Sequence, residues 1–282
     1  VRAAAVETVG RWGEPSTAIL LALAPLLEDA NDQVKVEATR VLPRLAGATT
    51  AVIEGLCRRL LEDDSSWVQV NAALALGRLG PAAAAAGGAL LRAVQIGDVS
   101  VREQALRAIA MIQPPETLEA LSAVLMDACG DIRMVASASW MNVKAIPEAV
   151  IPALVDALRD PEPQVRANAA HALARLDPLP TEAIPRLIEC TTDAHDGLRM
   201  NAAIALKLAP LSSNDVVEVM RHLVADPNMR VRVIALSHLL TVEPENVDAR
   251  VALVEALGDP SPRIRKAALE LVDALGPSGC GA

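Results

Sequence analysis

Catalysis gathers unlike reactive groups at one spot, so the side chains able to carry it come first. The four histidines are His171, His195, His222 and His238, and none stands in a His-Glu pair. His195, in the run TDAHDGLR, has Asp193 and Asp196 beside it. That loop is the one candidate metal site, the alternative being a solvated loop histidine. Cys57, Cys129, Cys190 and Cys280 show no CxxC and no histidine nearby to join them. Neither a zinc site, a redox pair nor a disulfide framework is expected. There is no GxSxG and no glycine-rich phosphate loop after a strand; Gly87 and Gly88 lie in an alanine-rich stretch that reads as a weak spot in a helix. No catalytic residue, metal or cofactor is expected.

Composition points the same way. Of 282 residues, 52% are hydrophobic, yet there are three Trp and no Phe or Tyr. Ala, Leu, Val and Ile suit close helix packing and offer few stacking surfaces. The net charge of −9 disfavours nucleic acid, whose affinity comes largely from cations set against phosphates. No run approaches about 18 uncharged apolar residues, so no membrane span is expected. The chain opens on Val1 in mid-pattern, which reads as a piece of a larger protein.

That pattern positions everything else. An aliphatic residue, usually followed by Arg, recurs at Val1, Val34, Val68, Val101, Ile132, Val165, Leu198, Val231 and Ile264, an interval of about 33. Four residues on, every copy has Ala, from Ala5 to Ala268; eight on, the position is large and apolar, Trp140 among them. Offsets 0, 4, 8 and 11 share one helical face, so each copy holds an amphipathic second helix, B. Leucines seven and eleven residues upstream, such as Leu61 and Leu90, mark a first helix, A; Cys57 and Cys190 fall in or beside these registers and read as small buried hydrophobes. Pro15, Pro81, Pro114, Pro147, Pro178, Pro210 and Pro244 stand at its entrance, while Pro152 and Pro185 are expected to bend it.

Five residues before the zero position comes Asp29, Asp63, Asp127, Asp160, Asp193, Asp226 or Asp259, with Ile96 the exception. One residue after it comes Arg2, Lys35, Gln69, Arg102, Arg133, Arg166, Arg199, Arg232 or Arg265. An Asp accepts N–H groups at a helix start, and an Arg can tie that carboxylate, or the next copy's, into a structural ladder.

The string L-x-x-x-L-x-D-P-x-x-x-V-R-x-x-A-x-x-A-L, seen in LVDALRDPEPQVRANAAHAL and LVEALGDPSPRIRKAALELV, resembles the HEAT-repeat family, in its short variety first associated with phycobilisome lyases. The resemblance implies an all-α, right-handed, armadillo-type α-solenoid of about eight and a half antiparallel helix pairs over residues 1–276. B helices would line its concave side, and 277–282 would form a flexible tail. Its iron-binding hydroxylase branch is a poor match for want of His-Glu pairs, and its DNA-glycosylase branch for want of basic charge and aromatics.

On the B helices, offsets 2 and 6 point away from the buried stripe. They carry Val36, Val70, Leu74, Met134, Met200, Ile204 and Val233 where Lys or Glu would be ordinary. This apolar track could seat a protein segment, unless curvature buries it against neighbouring B helices. Beside it run Arg11, Arg40, Arg44, Arg78 and Arg107, which could receive an acidic peptide or phosphate, or pair locally with Glu37 or Glu103. Trp67, just before Val68, is the aromatic best placed to touch a partner. The expected function is a non-catalytic protein–protein interaction or scaffold module. Its partner would be a protein or peptide, with no nucleic acid and no membrane involved. The alternative is a bilin-lyase-like enzyme or enzyme subunit.

Overall fold

The structure, a computed structural model, describes residues 1–12, 17–46, 48–118, 120–141, 143, 145–210 and 213–275. Pro15, the side chain of Trp12 and the tail with Cys280 lie outside the described residues. All regular structure within them is helical. The chain sorts into two compact units, Val1–Val150 and Ile151–Ala282.

In the first unit the second helices are Arg2–Trp12, Asp32–Ala46, Ser66–Leu79, Val99–Ile112 and Gly130–Trp140. Each packs on the next, and first helices such as Thr50–Glu62 pack against them. The second unit repeats the plan with Pro163–Leu173, Asp196–Leu206, Met229–Val242 and Pro262–Leu275 as second helices. From the second copy on, the zero, +4 and +8 registers meet at the centre of each layer; in the first, Val1 and Ala5 are exposed and Val6 is buried instead. Val68, Ala72 and Leu76, like Leu198, Ala202 and Leu206, are wholly buried. Trp140 is fully buried too, the largest side chain in the core. Burying a leucine or valine contributes roughly 1.5–3 kcal/mol, and the same three registers supply it in copy after copy.

Close approach sets the small residues. A Cβ on Gly77 would lie 3.1 Å from the Ala108 Cα and 3.3 Å from both the Ala108 Cβ and the Met111 Sδ. The Ser66–Leu79 and Val99–Ile112 helices are therefore nearly backbone to backbone at that point.

The first helices are less regular than their periodicity suggests. Several open or close in 3-10 turns: Ala24–Glu28, Gly80–Ala86, Ala120–Met126, Glu148–Val150 and Thr181–Ala183. Pro152 and Pro185 do not bend a continuous α-helix; each sits in the first turn of an α segment, Ile151–Ala157 and Ile184–Cys190, that follows such a 3-10 turn. The missing proline N–H falls where no i−4 partner is needed, so the break precedes the proline. Likewise Gly87 opens the Gly87–Ile96 helix and does not interrupt one.

By length and composition the stretch Ser66–Ile96 is apolar enough to cross a membrane. It is not one rod: Gly80, at φ +60°, turns the chain back between the second helix of one copy and the first helix of the next.

Candidate functional site

The Asp-to-Arg register forms a ladder within each unit. Each of the seven aspartates turns its Oδ1 onto the backbone N–H two residues ahead, as Asp63 does to Ser65 (3.1 Å) and Asp226 to Asn228 (2.7 Å). In several copies, though among the described residues not at Arg232, the cation at +1 binds the aspartate of the following copy. Arg2 meets Asp29, Lys35 meets Asp63, Arg102 meets Asp127, Arg166 meets Asp193 and Arg199 meets Asp226. Arg166 and Arg199 also donate to the carbonyl of their own loop's aspartate, Arg199 to Asp193 O at 2.9 Å, as Arg133, Arg232 and Arg265 do in their own loops. Arg166 and Arg199 thus each fasten their own loop and grip the next.

Burial pushes the carboxyls of Asp127, Asp193 and Asp226 up, but the facing arginines and the N–H donors outweigh it and hold all three below the ordinary range. Where the aspartate is replaced by Ile96, the residue that would have bound it is Gln69, whose amide donates to its own loop at Asp63 O instead. Both halves of one rung are missing together. At that gap the surface is apolar: Trp67, Ile96 and Val99 are exposed. Trp67 was legible from its place just before Val68, although the structure sets it in the first turn of the Ser66–Leu79 helix and not in a loop. Ile96 and Val99 were not, because only the paired loss at Gln69 and Ile96 marks the spot.

The anchor positions on the second helices divide. Met134 and Ile204 are exposed, at 39% and 37%. Val70, Leu74, Met200 and Val233 are half-buried. Val36, at 5%, is buried and offers no surface to a partner, so at that residue packing against the neighbouring helices prevails. Among the arginines, Arg11 pairs with Glu7, Arg40 with Glu37 and Arg107 with Glu103, all within one helix. Arg44 and Arg78 are exposed and make no ion pair or hydrogen bond within the described residues. Arg40, Arg44 and Arg78 line one groove of about 450 Å³ with Pro43, Asn71 and Leu74, between the Asp32–Ala46 and Ser66–Leu79 helices. The structure thus brings together four of the anchor candidates, Arg40, Arg44, Leu74 and Arg78.

The reactive side chains stay apart. Burial first, and Glu54 second, push the Cys57 thiol up to about 11. Cys190 is likewise pushed up to about 11, chiefly by burial. Both are protonated and so weakly reactive; Cys190 is buried as expected, whereas Cys57 is only half-buried. His195 caps the Asp196–Leu206 helix, its Nδ1 accepting from the Leu198 N–H at 3.1 Å. That capping bond occupies one of the two ring nitrogens. Among the described residues no three His, Cys, Asp or Glu side chains converge as metal ligands would. One polar pair was not foreseen: Lys207 Nζ donates to Ser237 Oγ at 2.8 Å, and burial lowers the lysine pKa although much of its surface is open. Only the register difference of 30 residues could have suggested it.

The family model for HEAT repeats matches residues 53–141 and 137–207. The chain belongs to the HEAT-repeat family. Among solved structures, this HEAT-repeat chain is similar to an engineered protein at 22% identity and TM-score 0.59, over 97% of this chain and 84% of that one. A second engineered protein matches at 22% identity and TM-score 0.53, over 71% and 97%. YibA of E. coli matches at 19% identity and TM-score 0.60, over 89% and 91%. At these identities the likeness speaks for the fold alone. No curated protein matches the HEAT-repeat chain in sequence.

Proposed function

We propose that this HEAT-repeat chain is a non-catalytic interaction module that binds a protein segment along the exposed face of its second helices. The observation that carries this is the recurrence, in both units, of solvent-facing apolar side chains at register positions where a solvated helix ordinarily bears Lys or Glu: Val70, Leu74 and Met134 in the first, Met200, Ile204 and Val233 in the second. Apolar surface of this kind supplies affinity once it is covered, and the rigid helices beneath it hold it ready. The family's architecture, in which successive repeats present a continuous row of helices, supports the same reading. The protonated thiols of Cys57 and Cys190 and the capping role of His195 fit structural parts for these three residues.

A photo-crosslinking residue placed at Met134 or Ile204 should capture a discrete protein partner, while the same group at Glu218, on the exposed side of a first helix, should not. Equal capture from Glu218, or none from the second-helix positions, would overturn the assignment of the face. Saturable, stoichiometric uptake of a bilin, followed by absorbance, would overturn its non-catalytic character.

A further inference from the structure

Several interior cations among the described residues are committed. Arg59, Arg102, Arg166 and Arg199 sit on carboxylates, and the exposed Arg11 and Arg107 and the half-buried Arg40 have glutamates one turn away. Arg44 and Arg78, like Arg92, Arg230 and Arg263, have no such partner among the described residues, but these two alone among them share a groove. They occupy the same register position on neighbouring second helices, both are exposed, and neither has a partner among the described residues. They converge on one groove of about 450 Å³, whose floor is apolar at Pro43 and Leu74. On the following second helix, Met111 lies half-exposed against Gly77, where the two helix backbones close up.

From this juxtaposition we infer that the groove between the Asp32–Ala46 and Ser66–Leu79 helices is a docking site for an acidic peptide segment, with an apolar side chain flanked by carboxylates. It rests on the proposed protein-binding role of the second-helix face and names the kind of segment that face takes. Charge complementarity selects the occupant. On a chain of net charge −9, two unpaired guanidiniums one repeat apart are a local positive site, and each offers a carboxylate a two-pronged contact. Packed helices stand roughly 8–10 Å apart, which an extended peptide spans in about three residues. Acidic groups three residues apart, with a leucine-like side chain between them over Leu74, fit both the charges and the floor. At physiological salt the overall negative charge is screened beyond about 8 Å, so it does not repel a segment already seated on the two arginines.

The test uses the whole chain and a fluorescein-labelled peptide, Gly-Glu-Asp-Leu-Glu-Asp-Gly, followed by anisotropy. The wild type should bind it saturably and more weakly as salt rises. The double variants Arg44→Glu/Arg78→Glu and Arg44→Gln/Arg78→Gln should each bind at least tenfold more weakly, with unchanged thermal melting. Arg92→Glu, an exposed charge on a first helix, should bind as the wild type does. Replacing the peptide leucine by serine and Leu74 by serine should each weaken binding, with less than additive effect in combination. No saturable binding, equal binding by the arginine variants, or equal binding of a peptide with Lys in place of its acids would overturn the inference. So would inorganic phosphate displacing the peptide while a phosphoserine peptide binds far more tightly, since the site would then read phosphate. If the peptide fails but crosslinks from Met134 and Ile204 persist, the groove assignment falls and the protein-binding face stands. If both fail, the face falls as well.

Discussion

Arg199 spans the joint between two successive repeats and grips Asp226, with Nε 2.8 Å from Oδ2 and Nη2 3.1 Å from Oδ1. The side chains keep only 11% and 4% of their exposure. The two-pronged contact is sealed from water, and the same carboxylate also caps the loop at Asn228. Removing one partner leaves the other charge buried and unanswered. Arg199→Ala and Asp226→Ala should each lower unfolding free energy by about 3 kcal/mol in urea titrations. Glu7→Gln, which breaks the open Arg11 pair, should change it by less than about 0.5 kcal/mol.

Acid should loosen the ladder in a definite window. The folded-state pKa values of Asp127, Asp193 and Asp226 lie below the ordinary 3.8. A depressed carboxylate contributes stability that is fully present above its unfolded pKa and is lost as pH falls through the folded one. Unfolding free energy should therefore be level above about pH 5 on this account and drop steeply below about pH 4. Arg199→Met and Arg166→Met should shallow that drop.

His238 adds a second, separate slope. It is 3% exposed, its Nε2 has no hydrogen-bond partner, and burial, helped by the charge of Lys207, lowers its pKa from 6.5. The unfolded chain takes up the proton first, so stability falls as pH drops below 6.5 and levels once the folded imidazole titrates. His238→Leu should abolish the decline in that range and leave the steeper one below pH 4. A decline unchanged in the variant would assign it to another group.

The broken rung should be repairable. Gln69→Arg alone gains no carboxylate, and Ile96→Asp alone gains no cation. The double variant restores both, and a double-mutant cycle from thermal or urea unfolding should show favourable coupling of about 1 kcal/mol. Additive effects would mean that the loop at Gly97 holds the two positions too far apart.

Gly77→Val should lower stability by about 1–3 kcal/mol, because the branched side chain would press on the Ala108 backbone only 3.1 Å from its Cβ. Gly88→Val is the comparison: no atom lies within 4 Å of a Cβ there, and it should be nearly neutral.

Much of this fold was legible because each copy checks the others. A single Asp or Ala says little, but Ala72, Ala105, Ala202 and Ala235 at one register can only mean a shared close contact, and all are buried. The aspartate and arginine registers likewise foretold the ladder. Periodicity is blind to what surrounds a helix. It assigned Val36 and Val70 the same role, yet one is buried and the other half-open, since neighbouring helices fix exposure and the helix's own angles do not. Arg40 and Arg44 are four residues apart on one helix; the first is answered by Glu37 and the second by nothing in the described structure, so a residue-type count could not tell them apart. The first helices misled for a related reason. Pro152 and Pro185 looked interior only because the turn before them keeps the apolar spacing without keeping α geometry.

The ladder has a genetic corollary. Because Arg166 holds its own loop and also the carboxylate one copy ahead, a duplicated stretch of DNA encoding one repeat delivers a socket for the unit before it and a plug for the unit after it. The array can therefore gain or shed whole units without inventing a single new contact, and the length of such a protein becomes a trait that copying errors alone can tune.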